Sequence, residues 1–263
     1  YVTSSIVDGK LAHPERTLFA PVKIEAFFRE LCPLVEETNS KLERTKRPIR
    51  ISVDEWNNRH HFVIKGKRHF SRMDDRRPFD AAVAANVLNV FIRHSPTIGM
   101  ATYSFPVDSH GLIRTVGDKD AFKTPLYYVF QQYRRWMLGN RLDVRLSGPG
   151  RDMNFNFALD CPPGIRPLKG EVPFVDAAAA LNSGGELTVA VVNRSHDTTL
   201  PVELSLPSGY VPEERWLLAH DDINARNTAS RRDTVAPSME RNDSRSFMLP
   251  PCGVCLVRCR IAR

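Results

Sequence analysis

Ile51-Ser52-Val53-Asp54-Glu55-Trp56-Asn57 is the stretch on which the reading of this chain turns. Ile49, Ile51 and Val53 are apolar, β-branched and spaced by two, the pattern of a strand. The strand ends in two adjacent carboxylates, an indole and an amide. Such a set at the C-terminal end of a strand suits sugar cleavage in a barrel enzyme. One carboxylate can attack or stabilise an oxocarbenium-like centre, the ring can stack on a sugar, and the amide can hold a hydroxyl. The same pattern also describes a strand end whose acids face water, and spacing alone does not separate the two.

The 263 residues are 42% hydrophobic and 25% charged, enough apolar material for one large domain or two ordinary ones. No apolar run approaches the roughly 18 residues of a membrane span, so no membrane partner is expected. The opening Tyr1-Val2-Thr3-Ser4-Ser5 has neither Met nor a charged-then-apolar leader, and the chain is expected to be a processed or partial product. Net charge is +7. That balance is compatible with nucleic acid or an acidic substrate, or with solubility from Arg-rich usage; the expectation is no nucleic acid. The cysteines are Cys32, Cys161, Cys252, Cys255 and Cys259. The last three make a C-x2-C-x3-C run that reads either as half a metal knuckle or as free thiols in a buried strand. With no second cluster, neither metal nor cofactor is expected, and the unpaired pattern favours a reducing compartment.

Two grammars divide the chain. Val22, Ile24, Phe27, Phe28, Leu31, Leu34 and Val35 have helical period, with Pro33 expected to kink or split that helix. A strand follows at 49–54, then a long polar loop from Asn57 to Pro78. Asp80 is placed to cap a helix whose inner face is Ala81, Ala84, Val87, Leu88 and Phe91. Thr97–Ser104 reads as a second buried strand, Pro106–Lys123 as a loop, and Pro125–Trp136 as a helix closed by Gly139. This is βα grammar, which implies parallel strands. After Gly139 come short alternating runs such as Leu187–Val192, Val202–Leu206 and Val254–Val257, divided by Pro, Gly, Asn and Asp: an antiparallel β-sandwich. The boundary is expected between 138 and 139.

The chain resembles the C-terminal half of the family 51 glycoside hydrolases, the α-L-arabinofuranosidases. Asp54-Glu55-Trp56-Asn57 after a strand carries most of the likeness. Phe79-Asp80-Ala81-Ala82, Asn86–His94, Leu187–Asn193, Asn224-Ala225-Arg226-Asn227-Thr228 and Leu249-Pro250-Pro251 follow in the same order. The resemblance implies the C-terminal portion of a (β/α)8 TIM barrel over 1–138 and a jelly-roll-like antiparallel β-sandwich over 139–263. It implies retaining hydrolysis of terminal arabinofuranosyl residues, with an arabinose-containing glycan as substrate. Glu55 takes the nucleophile's role, Trp56 and Asn57 shape the sugar pocket, and Tyr1 matches an active-site tyrosine. A retaining enzyme sets two carboxyls about 5–5.5 Å apart. Strand alternation puts Asp54 on the opposite face from Glu55, so Asp54 is read as a support for local backbone or a nearby Arg.

The chain also departs from the family. The family's acid/base Glu lies in an Asn-Glu pair on an earlier barrel strand, and Tyr1 begins after that point. A second chain or a missing N-terminal segment is therefore expected to complete the barrel, with an oligomer as the result. The family's aromatic four residues past the nucleophile is Arg59 here, and Phe105 stands near the place of a Gln. Asn58–Pro78 carries Arg59, Lys65, Lys67, Arg68, Arg72, Arg76 and Arg77 with His60, His61 and His69, against Asp74 and Asp75. This basic segment reads as a rim for acidic polysaccharide, as a solvated loop, or as a dock for the missing half. Two other functions stay open: a non-catalytic carbohydrate- or protein-binding subunit with a degenerate half barrel, and hydrolysis of another glycoside such as a β-glucan or β-xyloside.

Overall fold

The computed structural model describes residues 2–73, 75–153 and 170–262. β1 (Val2–Val7) and β2 (Lys10–Ala12) form a hairpin, followed by α1 (Pro14–Leu18) and α2 (Pro21–Lys41). β3 (Ile51–Trp56) runs almost directly into β4 (Asn58–Ile64), which turns back as β5 (Lys67–Phe70). α3 (Pro78–Arg93) leads to β6 (Ile98–Tyr103), a hairpin of β7 (Ile113–Val116) and β8 (Asp120–Lys123), and α4 (Pro125–Trp136). The described remainder is built of strands: β9 (Asn140–Leu142), β10 (Gly150–Asp152), β11 (Glu171–Pro173), β12 (Val175–Leu181), β13 (Leu187–Asn193), β14 (Leu200–Glu203), β15 (Tyr210–Leu218), β16 (Ser238–Arg241), β17 (Ser246–Leu249) and β18 (Val254–Ile261).

The two grammars give two kinds of sheet. β3 and β6 pair in parallel, with α3 between them in sequence. They are two parallel strands joined through a helix, as the βα reading expects; a closed (β/α)8 barrel is not found among the described residues. Six of the ten described strands after 139 form an antiparallel sheet in the order β16-β15-β18-β13-β12-β9. The β14–β17 ribbon covers one of its faces, with Val202, Leu204 and Leu249 packed on Ala177, Val189, Val191 and Cys255. The other face, including Ala190, Val192, Val254 and Leu256, packs with the helical layer. Covered on both sides, β13 is buried at all seven positions, which explains its unbroken apolar run.

Several local expectations are corrected. α2 is one helix through Pro33, because Arg29 and Pro33 face water and solvent can satisfy the backbone group that the proline leaves unpaired. Leu34, expected on its apolar face, is 58% exposed. The cap of α3 is Arg77, with Pro78 opening the helix and Asp80 reaching back to it from the third position. The presumed loops 57–78 and 106–123 contain the β4–β5 and β7–β8 hairpins. β4 is a strand because it pairs in parallel with β1, Val2 with Asn58 through Val7 with Val63. That partner is more than fifty residues away, and the local Arg and His content hides it.

Two buried polar clusters tie the layers together. In the first, Asp80 is fully buried and accepts from Asn58 Nδ2 at 2.6 Å, Arg76 Nη1 at 3.2 Å and the Arg77 backbone N–H at 2.9 Å. His60 Nε2 stands 2.7 Å from the same carboxylate. Arg76 also donates to the Asn58 carbonyl oxygen at 2.7 Å and lies 2.9 Å from His110 Nδ1. Burial alone would raise the Asp80 carboxyl, but His60 and Arg76 outweigh it and hold it below the usual carboxylate range. In the second cluster, Arg93 donates to Glu25 at 2.8 Å and to Asp176 at 3.2 Å, joining α2 and α3 to β12. Arg194 adds a 2.7 Å bond to Asp176.

Removing the Asp80 carboxylate leaves His60, Arg76 and Arg77 buried without their common acceptor. Asp80→Ala should cost about 3–5 kcal/mol in urea denaturation, and a loss under about 1 kcal/mol would contradict this account. Glu25 gives a pH signature. Burial raises its carboxyl, but the His94 hydrogen bond and the Arg93 charge hold it at about 2, down from 4.5. A depressed folded value means stability that is complete above the unfolded value and lost as pH falls through it towards about 2. Glu25→Gln should therefore flatten the decline in melting temperature between about pH 4.5 and 2, by an amount on the order of 3 kcal/mol at most.

Candidate active site

Glu55 stands one residue before the end of β3, at an irregularity in the pairing. Val53 pairs with Ala101 and Trp56 with Tyr103, so β3 has one residue more than β6 across this step. A one-residue bulge of this kind re-aims side chains and is common beside active sites. Asp54 and Glu55 both lie within this bulge, where the sequence pattern predicts plain alternation. The outcome for the cavity is that Glu55 lines it together with Ile51, Ser52, Val53 and Trp56, while Asp54 does not. Asp54 accepts a 2.6 Å hydrogen bond from the Ser52 hydroxyl.

The cavity has a volume of about 760 Å³ and lies between β3, β1 and the α1–α2 segment. Ile24, Phe27, Phe28 and Phe91 give it an apolar wall. Thr3, Ser5, His13, Arg16 and Lys23 bring polar groups, and Glu55 is the one carboxylate among its described lining. The size and the mixed lining match a small-molecule site. Sequence reading did not reach the α1 contribution, because the strand-and-helix signal over residues 2–20 is short and interrupted.

The other expected site residues are distributed around this cavity. Trp56 is only 5% exposed. It stacks on Phe130 at 5.6 Å and meets Phe91 and Tyr103 edge-on at 5.3 and 5.1 Å. Its edge reaches the cavity, and its buried Nε1 has no hydrogen-bond partner among the described residues. Asn57 is buried; its Nδ2 donates to the Ser104 carbonyl oxygen at 3.4 Å and its own carbonyl accepts from Val2 N–H at 3.0 Å. It joins the ends of β3, β6 and β1. Arg59 is half-buried on β4, opposite Thr3 in register and outside the cavity lining. Phe105 takes a left-handed backbone (φ 60°), is 41% exposed, and carries the Arg72 guanidinium 5.3 Å from its ring. Tyr1, Asp74 and Cys161 lie outside the described residues.

The Asp80 cluster sits under the β3–β4 turn through Asn58 and His60. In the sequence His60 stands in a basic stretch expected to be a loop; the available signal of its burial is its even spacing from Asn58. Cys252 packs in the helical core, whereas Cys255 and Cys259 pack in the core beneath β14–β17. Cys252 lies in the turn before β18 with a left-handed backbone, and Cys255 lies on the strand, so the C-x2-C spacing does not bring the thiols together. Burial pushes the Cys255 and Cys259 thiols up to about 12. Among the described residues no group of His, Cys, Asp and Glu could hold a metal ion.

Known proteins locate this arrangement. The α-L-arabinofuranosidase C-terminal domain profile matches residues 54–252. An intracellular exo-α-(1→5)-L-arabinofuranosidase of Streptomyces lividans is 26% identical over 232 residues, covering 84% of this chain and 33% of its own length. A Bacillus subtilis protein of the same description is 25% identical, covering 82% and 42%. The chain therefore spans between a third and about two fifths of these relatives. Among solved structures, the α-L-arabinofuranosidase of Thermotoga maritima superposes with a TM-score of 0.73 at 20% identity, covering 99% of this chain and 52% of that one. The family 51 arabinofuranosidase of Xanthomonas axonopodis pv. citri gives 0.71 at 21%, covering 94% and 47%. At that identity the structures speak for the fold, and the profile match speaks for descent: the chain belongs to the family 51 glycoside hydrolases and corresponds to the C-terminal half of their α-L-arabinofuranosidases.

Proposed function

We propose that this chain is the nucleophile-bearing part of a retaining α-L-arabinofuranosidase that releases terminal arabinofuranosyl residues from a glycan. The observation that carries the reading is Glu55: a single carboxylate, re-aimed by a bulge at a strand end, opening into a cavity of about 760 Å³. In the proposed reaction the Glu55 carboxylate attacks the anomeric carbon while a general acid protonates the departing glycosidic oxygen. Water, deprotonated by the same acid's conjugate base, then releases the sugar with its configuration retained. Glu55 is alone among the cavity's described acids, so the second carboxyl comes from outside these residues. A preceding segment or a second chain would supply it while completing the (β/α)8 barrel over 1–138, beside the sandwich of 139–263. Trp56 holds the pocket wall through its aromatic neighbours, and Asn57 fixes the strand ends.

Arg59 and Phe105, where the family has an aromatic and an amide, favour a second reading as a glycan-binding subunit without turnover. One experiment separates the two. Glu55→Ala in the assembled enzyme should reduce hydrolysis of an aryl α-L-arabinofuranoside by several orders of magnitude, with added azide restoring part of the rate. Activity within about tenfold of the unaltered protein would sink the nucleophile assignment.

A further inference from the structure

The sheet β2-β1-β4-β5 has two chemically different faces. Its covered face holds Val2, Ser4, Ile6, Asn58 and His60, all buried. The register puts the opposite set in rows. Lys10, Val7, Val63 and Arg68 form one row across four strands; Ala12, Ser5 and His61 form the next; Thr3 and Arg59 form the third. Lys10, His61 and Arg68 are exposed. None of the four strands contains an Asp or Glu. The nearest acid in sequence is Asp8 in the β1–β2 turn, which accepts the Lys65 backbone N–H at 3.2 Å. Thr3, Ser5 and Ala12 of this face also line the Glu55 cavity, whose other polar lining includes His13, Arg16 and Lys23.

A cationic face that borders the cavity through Thr3, Ser5 and Ala12 is complementary to one kind of glycan. We propose that this face binds uronate-bearing chains, holding carboxylates on Lys10, His61 and Arg68 while the chain end lies at Glu55. The proposal rests on the reading of the Glu55 cavity as a sugar site and adds the class of glycan that it takes. Lys10 and Arg68 stand on the outer strands of four, about 14 Å apart at ordinary strand spacing, so the face favours an oligomer over a single acidic sugar. Each exposed charge contact is individually weak and screened by salt, and the preference arises from several acting together.

Calorimetric titration of the full protein with a galacturonate oligomer and a neutral arabinan oligomer of equal length tests this. The acidic oligomer should bind at least about tenfold more tightly at low salt, with the gap closing as salt rises. Lys10→Glu with Arg68→Glu should abolish the gap at an unchanged melting temperature, while Lys65→Glu in the hairpin turn should leave it. Equal binding of the two oligomers, or a gap that survives the double substitution, would overturn the proposal. So would equally tight binding of a DNA oligomer of matched charge, which marks general polyanion adhesion. Binding is read without turnover, so its failure is distinct from a failure of the Glu55 nucleophile, which the hydrolysis assay reads.

Discussion

The buried carboxylate of Asp80 is the constraint on which the helical half is arranged. An isolated anion in a protein interior is too costly to persist, so four partners gather around it from two separate parts of the chain. Asn58 and His60 come from β4, Arg76 from the segment before α3, and the Arg77 N–H from the helix cap. The start of α3 is thereby fixed against the strand that continues β3. Asn58 passes the restraint on to Ser4 of β1 through a 2.9 Å hydrogen bond. The strand end that carries Glu55 is held from below by this cluster and from the side by the Trp56 aromatic stack. These contacts fix the strand end that carries Glu55 without occupying the cavity.

Much of this was legible from residues alone, for reasons that differ by region. α3 and α4 announce themselves by Pro at the first turn and by an apolar face, both local signals. β13 and β18 are apolar runs of strand length bounded by turn residues, and both are strands. β1, β4, β5, β7 and β8 were invisible because their pairing is long-range or their sequence is charged, so no period appears in a short window. The acidic motif was found by composition, but the bulge beneath it depends on the register with β6. His60 shows the same limit. As a letter in a basic stretch it suggested solvent, yet its position on the covered face makes it a buried partner of Asp80.

Sequence divides the chain by grammar near 139, but the packing does not stop there. One apolar core contains Phe79, Val83, Val87 and Val90 of α3 together with Ala190, Val192, Val254 and Leu256 of the six-stranded sheet. Asp176 of that sheet is bonded to Asn89 and Arg93 of α3 and to Arg194, and Tyr133 of α4 joins through Asn89. Polar groups placed so deep give direction to a contact that apolar packing alone would leave free to slide.

α3 has no side that belongs to solvent: from Pro78 to Val87 every residue is buried, and Ala81, Ala82, Ala84 and Ala85 let the flanking layers approach closely. A wall shared so tightly cannot be inherited by one side only. Drift in the sandwich must be matched by drift in the helix, and the helix in turn carries the anchor of the Glu55 strand. The sandwich is therefore a poor candidate for exchange between relatives as a free-standing cassette. Its sequence is expected to change in step with the half that bears Glu55, so that a distant β-layer records the history of that strand.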